Sequence, residues 1–174
     1  MMEKNPINFE IIGTRGSIES KEQFFDKVNE FVSKLPRRGG MPVQFLNADY
    51  VCGKEHLQTA IEHAQRAFDR GKAISDTMAM EILLYASGEV QISTALAKMG
   101  IADGCENVAC VISNEIDMDS LLAFLDLKRD DSVLDCTEEK LLRFGIHKES
   151  ISAAGQDTMA DLVFERVGMV DVKK

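Results

Sequence analysis

The chain has 174 residues, 45% of them apolar, and a formal net charge of −9. A chain of this length can bury one continuous core, so we expect a single domain over residues 1–174. It has no apolar stretch of the roughly 20 residues that cross a bilayer, and its first residues lack the apolar run of a signal peptide. These features argue against a membrane protein and predict a soluble, cytoplasmic one.

The acidic charge is concentrated in the second part of the chain. Residues 1–100 have a net charge of −1, and residues 101–174 have a net charge of −8. Phosphate binding depends on clustered Lys and Arg side chains, so a nucleic-acid face, if there is one, belongs to the first hundred residues. An acidic half that only solvates its helices explains the same distribution equally well.

The first hundred residues predict two strands and four helices. Helices are recognised by apolar residues at helical spacing and by start or stop signals, such as the capping box of Ser20 and Gln23 or the glycine at position 71. Gly13-Thr14-Arg15-Gly16 is predicted to end the first strand. In chain order the elements are a strand over 8–12, a helix over about 21–35, a polar loop at 37–40, a strand over 42–46 that continues towards 51, and helices over about 54–70, 76–86 and 90–99.

The remaining residues predict a third strand and three more helices. The strand covers 107–113, and the helices cover 118–127, 137–144 and about 157–167, with Asp135 and Glu138 spaced as a capping box. Strands and helices are interspersed too unevenly for a regular parallel βαβ array. The predicted fold class is α+β, with a small mixed or antiparallel β-sheet packed against helices.

The sequence offers no recognisable catalytic or metal site. Gly13-x-x-Gly16 lacks the remaining residues of a dinucleotide-binding or Walker loop, and Ser87 lacks the Gly-x-Ser-x-Gly elbow of a hydrolase. No Cys-x-x-Cys spacing supports a zinc site, and buried free thiols are expected. We therefore predict a protein that is not an enzyme and holds no metal or cofactor. The cysteines are Cys52, Cys105, Cys110 and Cys136, and the histidines are His56, His63 and His147.

The stretch from Met80 to Ile101 has a helix, a glycine turn and a second helix. This order is also that of a DNA-binding helix-turn-helix, so a DNA-binding regulator is the alternative function. Its recognition helix would cover residues 91–99, in which Lys98 is the one cation. Two short helices around a glycine are more often plain packing.

The same region resembles the PRPK-binding-protein family, the small kinase-binding subunit of the KEOPS (EKC) complex. The resemblance is dense over about fifty residues and looser, though in order, from Asn8 to the segment 157–172. The residues that carry it are Gly53-Lys54-Glu55-His56-Leu57, Ala67-Phe68-Asp69-Arg70-Gly71, Glu81-Ile82-Leu83-Leu84-Tyr85-x-Ser87-Gly88-x-x-Gln91-Ile92-x-x-Ala95 and Gly100-Ile101.

The resemblance implies a non-catalytic subunit, expected as a monomer when free. Its direct partners would be the small kinase, which acts as an ATPase in the complex, and tRNA, bound by its 3′ CCA tail. Through the complex it would also serve the threonylcarbamoyl-transferase subunit, which modifies the adenosine beside the anticodon of tRNAs that read ANN codons.

Candidate tRNA-binding residues lie in and near this signature. An unpaired tail needs a small pocket for its bases more than a broad basic surface, so the net acidity is tolerable. Cations would meet backbone phosphates, and three other side chains would shape a base pocket; core packing and solvation explain the same residues as well. The cations are Lys54, Arg66, Arg70, Lys72 and Lys98, and the pocket residues are Tyr85, Gln91 and Ile92.

The last helix carries an apolar stripe of Leu162, Val163, Val167 and Val170. Such a stripe can dock on a partner such as the kinase, and a terminal helix that packs on its own core shows the same pattern. Glu81, in an otherwise apolar helix, is costly to bury unless paired. We expect it to reach the helix N-terminus near Gln91 or a basic neighbour.

Overall fold

The computed structural model describes residues 8–36 and 43–174. The strands and helices alternate irregularly along the chain, with 3₁₀ turns at Ala48–Tyr50 and Asp131–Leu134. In chain order they are β1 (Phe9–Ile18), α1 (Lys21–Ser33), β2 (Val43–Asn47), α2 (Lys54–Asp69), α3 (Met78–Ser87), α4 (Ile92–Met99), β3 (Cys105–Ser113), α5 (Met118–Phe124), β4 (Lys128–Arg129), α6 (Glu138–Phe144), α7 (Lys148–Ala154) and α8 (Asp161–Lys173).

The four strands form one sheet in the order β2-β3-β1-β4, and every neighbouring pair is antiparallel. Side chains alternate between its two faces, as the pleat requires. Ile11 and Val111 join a large core with α2, α3 and α8, whereas Ile12 and Cys110 join a second core with α1 and α5. The α+β prediction is confirmed, and the sheet is of the antiparallel kind.

The first strand is longer than the sequence predicts. Gly13 and Gly16 do not end it. Strand β1 pairs with β3 through Gly13 and Arg15 and again at Ile18, with Gly16 inside the register shift between them, and it pairs with β4 at Thr14 and Arg15. A Cβ at Gly13 would lie 2.6 Å from the Asp130 carbonyl oxygen, and one at Gly16 would lie 2.6 Å from a methyl group of Leu127. These glycines mark the close approach of another segment to the strand, not a turn.

Several other observed element boundaries differ from the predicted ones. The second strand is confirmed over Val43–Asn47, while its predicted start at position 42 and the loop at 37–40 lie outside the described residues. The last helix begins later and ends later than predicted, and α7 and the two-residue β4 were not predicted. Helix α6 is capped by Thr137, whose hydroxyl accepts from the Lys140 amide, and not by Asp135 as predicted.

Glu81 is fully buried, and its partners differ from those predicted. Its carboxylate accepts hydrogen bonds from the Ile74 amide, at 3.1 and 3.0 Å, and from the Ser75 amide, at 2.9 Å. It therefore fastens the loop before α3 to the first turn of that helix. Its role is architectural, as expected, but among the described residues its carboxylate bonds neither to the region of Gln91 nor to a basic side chain.

Replacing Glu81 with Leu is expected to lower the free energy of unfolding by about 3–4 kcal/mol, because two main-chain amides lose charge-assisted bonds in a buried site. Urea unfolding of the purified chain measures this change. Exposed Glu62 on α2 provides the control, since Glu62→Leu should change stability by less than about 0.5 kcal/mol. Equal effects of the two substitutions would contradict the assigned role of Glu81.

Candidate kinase and RNA interface

The turn between α3 and α4 is built around Gly88. Gly88 has a φ of 71°, in the left-handed region, and it caps α3. The Lys98 ammonium folds back from α4 and donates to the Ser87 carbonyl at 2.8 Å and to the Glu89 carboxylate at 3.2 Å. It also lies 3.9 Å from the centre of the Phe144 ring. Lys98 thus closes the turn, and burial lowers the pKa of its ammonium.

Helix α8 brings more cations to this turn. Lys173 donates to the Gly88 carbonyl at 3.3 Å. A Cβ added at Gly88 would lie 3.3 Å from the Arg166 Cβ, so α8 packs directly against the turn. We call Lys98, Arg166 and Lys173 the turn cluster. The two α8 members were not predicted from the sequence, because they belong to residues 101–174, whose net charge of −8 indicated one acidic surface.

Tyr85 lies in the core beneath the end of α8. Its hydroxyl donates to Asp171 Oδ1 at 2.5 Å, and His63 Nδ1 lies 2.8 Å from Asp171 Oδ2. The Lys174 ammonium contacts both Tyr85 and Asp171. Burial alone would raise the pKa of Asp171, but the hydrogen bonds from Tyr85, His63 and Lys174 outweigh it and lower that pKa to about 2.

This position changes the predicted role of Tyr85. Its ring is 0% exposed, so a base cannot stack on it. Burial, followed by the hydrogen bond with Asp171, raises the pKa of its hydroxyl. Tyr85 therefore anchors the C-terminal end of α8 to α2 and α3, and the prediction that it shapes a base pocket is corrected.

The other two pocket residues are accessible at the start of α4. Gln91 is exposed and precedes the helix, and Ile92 is 40% exposed. Leu96, one turn further on, is 46% exposed, so α4 presents an open apolar face. Because Lys98 points back to the turn, this face has no cation of its own. That geometry is poorly suited to a DNA recognition helix, which needs polar and basic side chains directed at base edges.

The remaining predicted cations lie in two places. Lys54 begins α2 and pairs with Asp131 at 3.3 Å, near β4. Arg66, Arg70 and Lys72 lie exposed at the other end of α2, about 18 Å or more away at 1.5 Å per residue. Arg66 lies on the Tyr85 side of α2, because it follows by three residues His63, whose ring centre is 5.3 Å from that of Tyr85. Lys54 therefore does not share a surface with the others.

The predicted kinase stripe on α8 is also corrected. Val163, Val167 and Val170 are 0% exposed and pack in the large core, and Leu162 is half-buried against it. The stripe is the inner side of a terminal helix that packs on its own domain, which was the other interpretation of the pattern. The three valines therefore have no surface to offer a partner.

The opposite side of α8 is open and partly apolar. Helical geometry places Glu165, Gly168, Met169 and Val172 together there, and we call these four residues the outer face of α8. Met169 is 38% exposed and Val172 is 73% exposed. No atom lies within 4 Å of a Cβ built at Gly168, so packing within the described residues does not require glycine at this position.

Two further properties concern the described residues as a set. Within residues 8–36 and 43–174, no helix is both long and apolar enough to cross a bilayer. Over the same ranges, no three His, Cys, Asp or Glu side chains are grouped so that they could hold a metal ion.

Comparison with known proteins identifies the family. Residues 21–163 match the family described as "Kinase binding protein CGI-121". The chain therefore belongs to this family of kinase-binding proteins, which confirms the resemblance found in the sequence.

A curated relative gives the same classification. The chain is similar to "Regulatory protein Cgi121" of Methanocaldococcus jannaschii, with 33% identity over 137 residues. The match covers 78% of this chain and 87% of the relative. The family is thus described as kinase-binding and the relative as regulatory. The family match ends at Val163, so the outer face of α8 lies beyond it.

Proposed function

We propose that this chain is the non-catalytic regulatory subunit of a KEOPS-type complex for threonylcarbamoyladenosine modification of tRNA. It binds the kinase/ATPase subunit and helps to recruit tRNA by the 3′ CCA tail, in the cytoplasm. It acts on the threonylcarbamoyl-transferase subunit only indirectly. Membership in the kinase-binding family is the single observation that carries this proposal.

The outer face of α8 is the kinase-binding surface in this proposal. A partly apolar helix face that the chain itself leaves open is typical of a protein contact. Gly168 adds a specific argument, because glycine inside a helix costs about 0.5–1 kcal/mol relative to alanine. Among the described residues, nothing within 4 Å of its position explains that cost. The close approach of a partner's backbone to α8 does explain it.

The turn cluster and the start of α4 form the RNA-binding surface. Lys98, Arg166 and Lys173 supply positive charge at the Gly88 turn, and the exposed Gln91 and Ile92 supply a polar and an apolar group near it. Arg66, Arg70 and Lys72 are additional phosphate-binding residues at the end of α2. Single-stranded tails are bound by such combinations of cations and small pockets.

Binding of an unmodified tRNA transcript, compared with the same transcript lacking its terminal CCA, tests the RNA part at one stated salt concentration. Loss of binding with the tail is the expected result. The double substitution Arg166→Ala/Lys173→Ala should weaken binding of the full transcript about tenfold, because removing two cations reduces the electrostatic attraction to the phosphates. Lys54→Ala is the matched control and should bind nearly as the parent chain does.

Co-purification with the small kinase of the same organism separates this function from that of a DNA-binding regulator. A stable complex with the kinase supports the proposal. Equal and weak binding of both transcripts would exclude tRNA recruitment by the isolated subunit and leave kinase binding as its function. Absence of a kinase complex, together with sequence-specific binding to duplex DNA, would favour the helix-turn-helix alternative.

A further inference from the structure

Two cysteines far apart in sequence lie in adjoining segments of the fold. Cys52 is between the first 3₁₀ turn and α2, and Cys136 precedes α6. The Gly53 amide donates to the Leu134 carbonyl at 2.6 Å. The Lys140 ammonium donates to the Val51 carbonyl at 2.9 Å and to the Val133 carbonyl at 2.5 Å. Residues on both sides of Cys52 are therefore bonded to the segment that contains Cys136.

The two thiols lie in the same part of the fold, and their surroundings differ. Cys52 belongs to the large core, and Cys136 packs against that core. Cys52 is buried, whereas Cys136 is half-exposed next to Thr137, which caps α6. The neighbouring Cys52 thiol and the charge of Lys140 lower the pKa of the Cys136 thiol, whereas the neighbouring Cys136 thiol and burial raise the pKa of Cys52.

This arrangement has the parts of a redox-sensitive dithiol. Such sites combine an accessible thiol that ionises readily with a second thiol that can resolve its oxidation product. Cys136 is half-exposed and lies near a cation, and Cys52 is held beside it. Neither cysteine has a role in the kinase or RNA surfaces proposed above, so the pair is independent of them.

We propose that Cys52 and Cys136 form a peroxide-reactive dithiol that closes reversibly to a disulfide. The Cys136 thiolate attacks one oxygen of hydrogen peroxide, the O–O bond breaks, and the departing hydroxide takes a proton to leave as water. The Cys136 sulfenic acid that remains is then attacked by Cys52 sulfur, which forms the S–S bond and releases a second water. The two thiols lose two electrons and two protons, which together reduce the peroxide to two waters.

The other two cysteines provide an internal comparison. Cys105 and Cys110 belong to the core on the opposite side of the sheet. Burial raises the pKa of Cys105 to about 11 and that of Cys110 to about 12. Peroxide reacts with the thiolate, so these two side chains should remain reduced under conditions that oxidise the pair.

The test treats the purified full chain with hydrogen peroxide, unfolds it, and blocks the remaining thiols with N-ethylmaleimide before mass spectrometry. Two thiols should disappear together, with a Cys52–Cys136 linked peptide, and two should be blocked. The oxidised chain should also unfold about 5–10 °C higher than the reduced chain, because the bond closes a long loop. Dithiothreitol should reverse both changes.

Single substitutions distinguish this mechanism from general oxidation. Cys136→Ser should leave Cys52 reduced, whereas Cys52→Ser should accumulate a Cys136 sulfenic acid that dimedone traps. The double variant Cys105→Ser/Cys110→Ser should oxidise as the parent chain does. Four blocked thiols after peroxide treatment, earlier oxidation of Cys105 or Cys110, or a disulfide between two chains in place of the internal one would overturn the proposal.

Discussion

Gly168→Arg is expected to weaken binding of the kinase at least about 100-fold, which corresponds to roughly 3 kcal/mol. Gly168 lies on the outer face of α8, where a built Cβ meets no neighbouring atom of residues 8–36 and 43–174 within 4 Å. The free chain can therefore accept a long side chain there, but a partner packed closely against α8 cannot. Calorimetric titration of the purified chain with the kinase measures the change.

Gly168→Ala is a smaller substitution at the same position, and it separates an effect on binding from an effect on folding. It should raise the free energy of unfolding of the free chain by about 0.5–1 kcal/mol, because alanine favours the helix. If a partner's backbone lies against Gly168, the same methyl group should weaken kinase binding. A substitution that stabilises the chain and weakens the complex cannot be explained by damage to the fold.

A control on another helix tests whether arginine as such disturbs the complex. Ala123 is an exposed small residue on α5, across the sheet from α8. Ala123→Arg should leave kinase affinity unchanged within about twofold. If Gly168→Arg binds as well as the parent chain, the kinase does not use the outer face of α8, and another surface must be sought for it.

The sequence predicted most elements of this fold because their signals are local. Ser20 caps α1 by accepting from the Gln23 amide, and Gly88 is left-handed at the end of α3, both where the pattern placed them. Gly13 was misjudged because its reason is not local. The space that a side chain would occupy there is filled by Asp130 and Val133, more than a hundred residues further along the chain.

The candidate interface shows the same difference between local features, which the sequence predicts, and long-range contacts, which it does not. Periodicity identified the stripe of Val163, Val167 and Val170, but it could not say whether this stripe faced a partner or the chain's own core. Likewise, net charge per half concealed the turn cluster, since Arg166 and Lys173 approach Gly88 only after α8 folds back. Tertiary packing decides which residues meet across such distances in the chain. Local sequence patterns do not predict those contacts.

The stability of the chain should fall by about 3 kcal/mol between pH 7 and pH 4 through His56 alone. His56 is fully buried, accepts a bond from the Cys52 amide at 3.1 Å and lies 2.8 Å from the Ala86 carbonyl. Burial, aided by the charges of Lys98 and Lys140, lowers its pKa to about 4 from an ordinary value of 6.5. Between pH 6.5 and about pH 4, His56 is protonated in the unfolded chain but neutral in the folded chain. Lowering the pH through this range therefore favours unfolding.

Urea unfolding at several pH values between 7 and 4 measures this slope, and His56→Gln should remove most of it while lowering stability throughout. Exposed His147 is the matched control, because His147→Gln should leave the slope intact. Asp171 does not produce the same signal, because its depressed pKa, about 2, places the loss of its contribution at lower pH. A slope that persists in His56→Gln would mean that another group takes up the proton, and the neutral, buried imidazole would no longer account for the acid sensitivity of the fold.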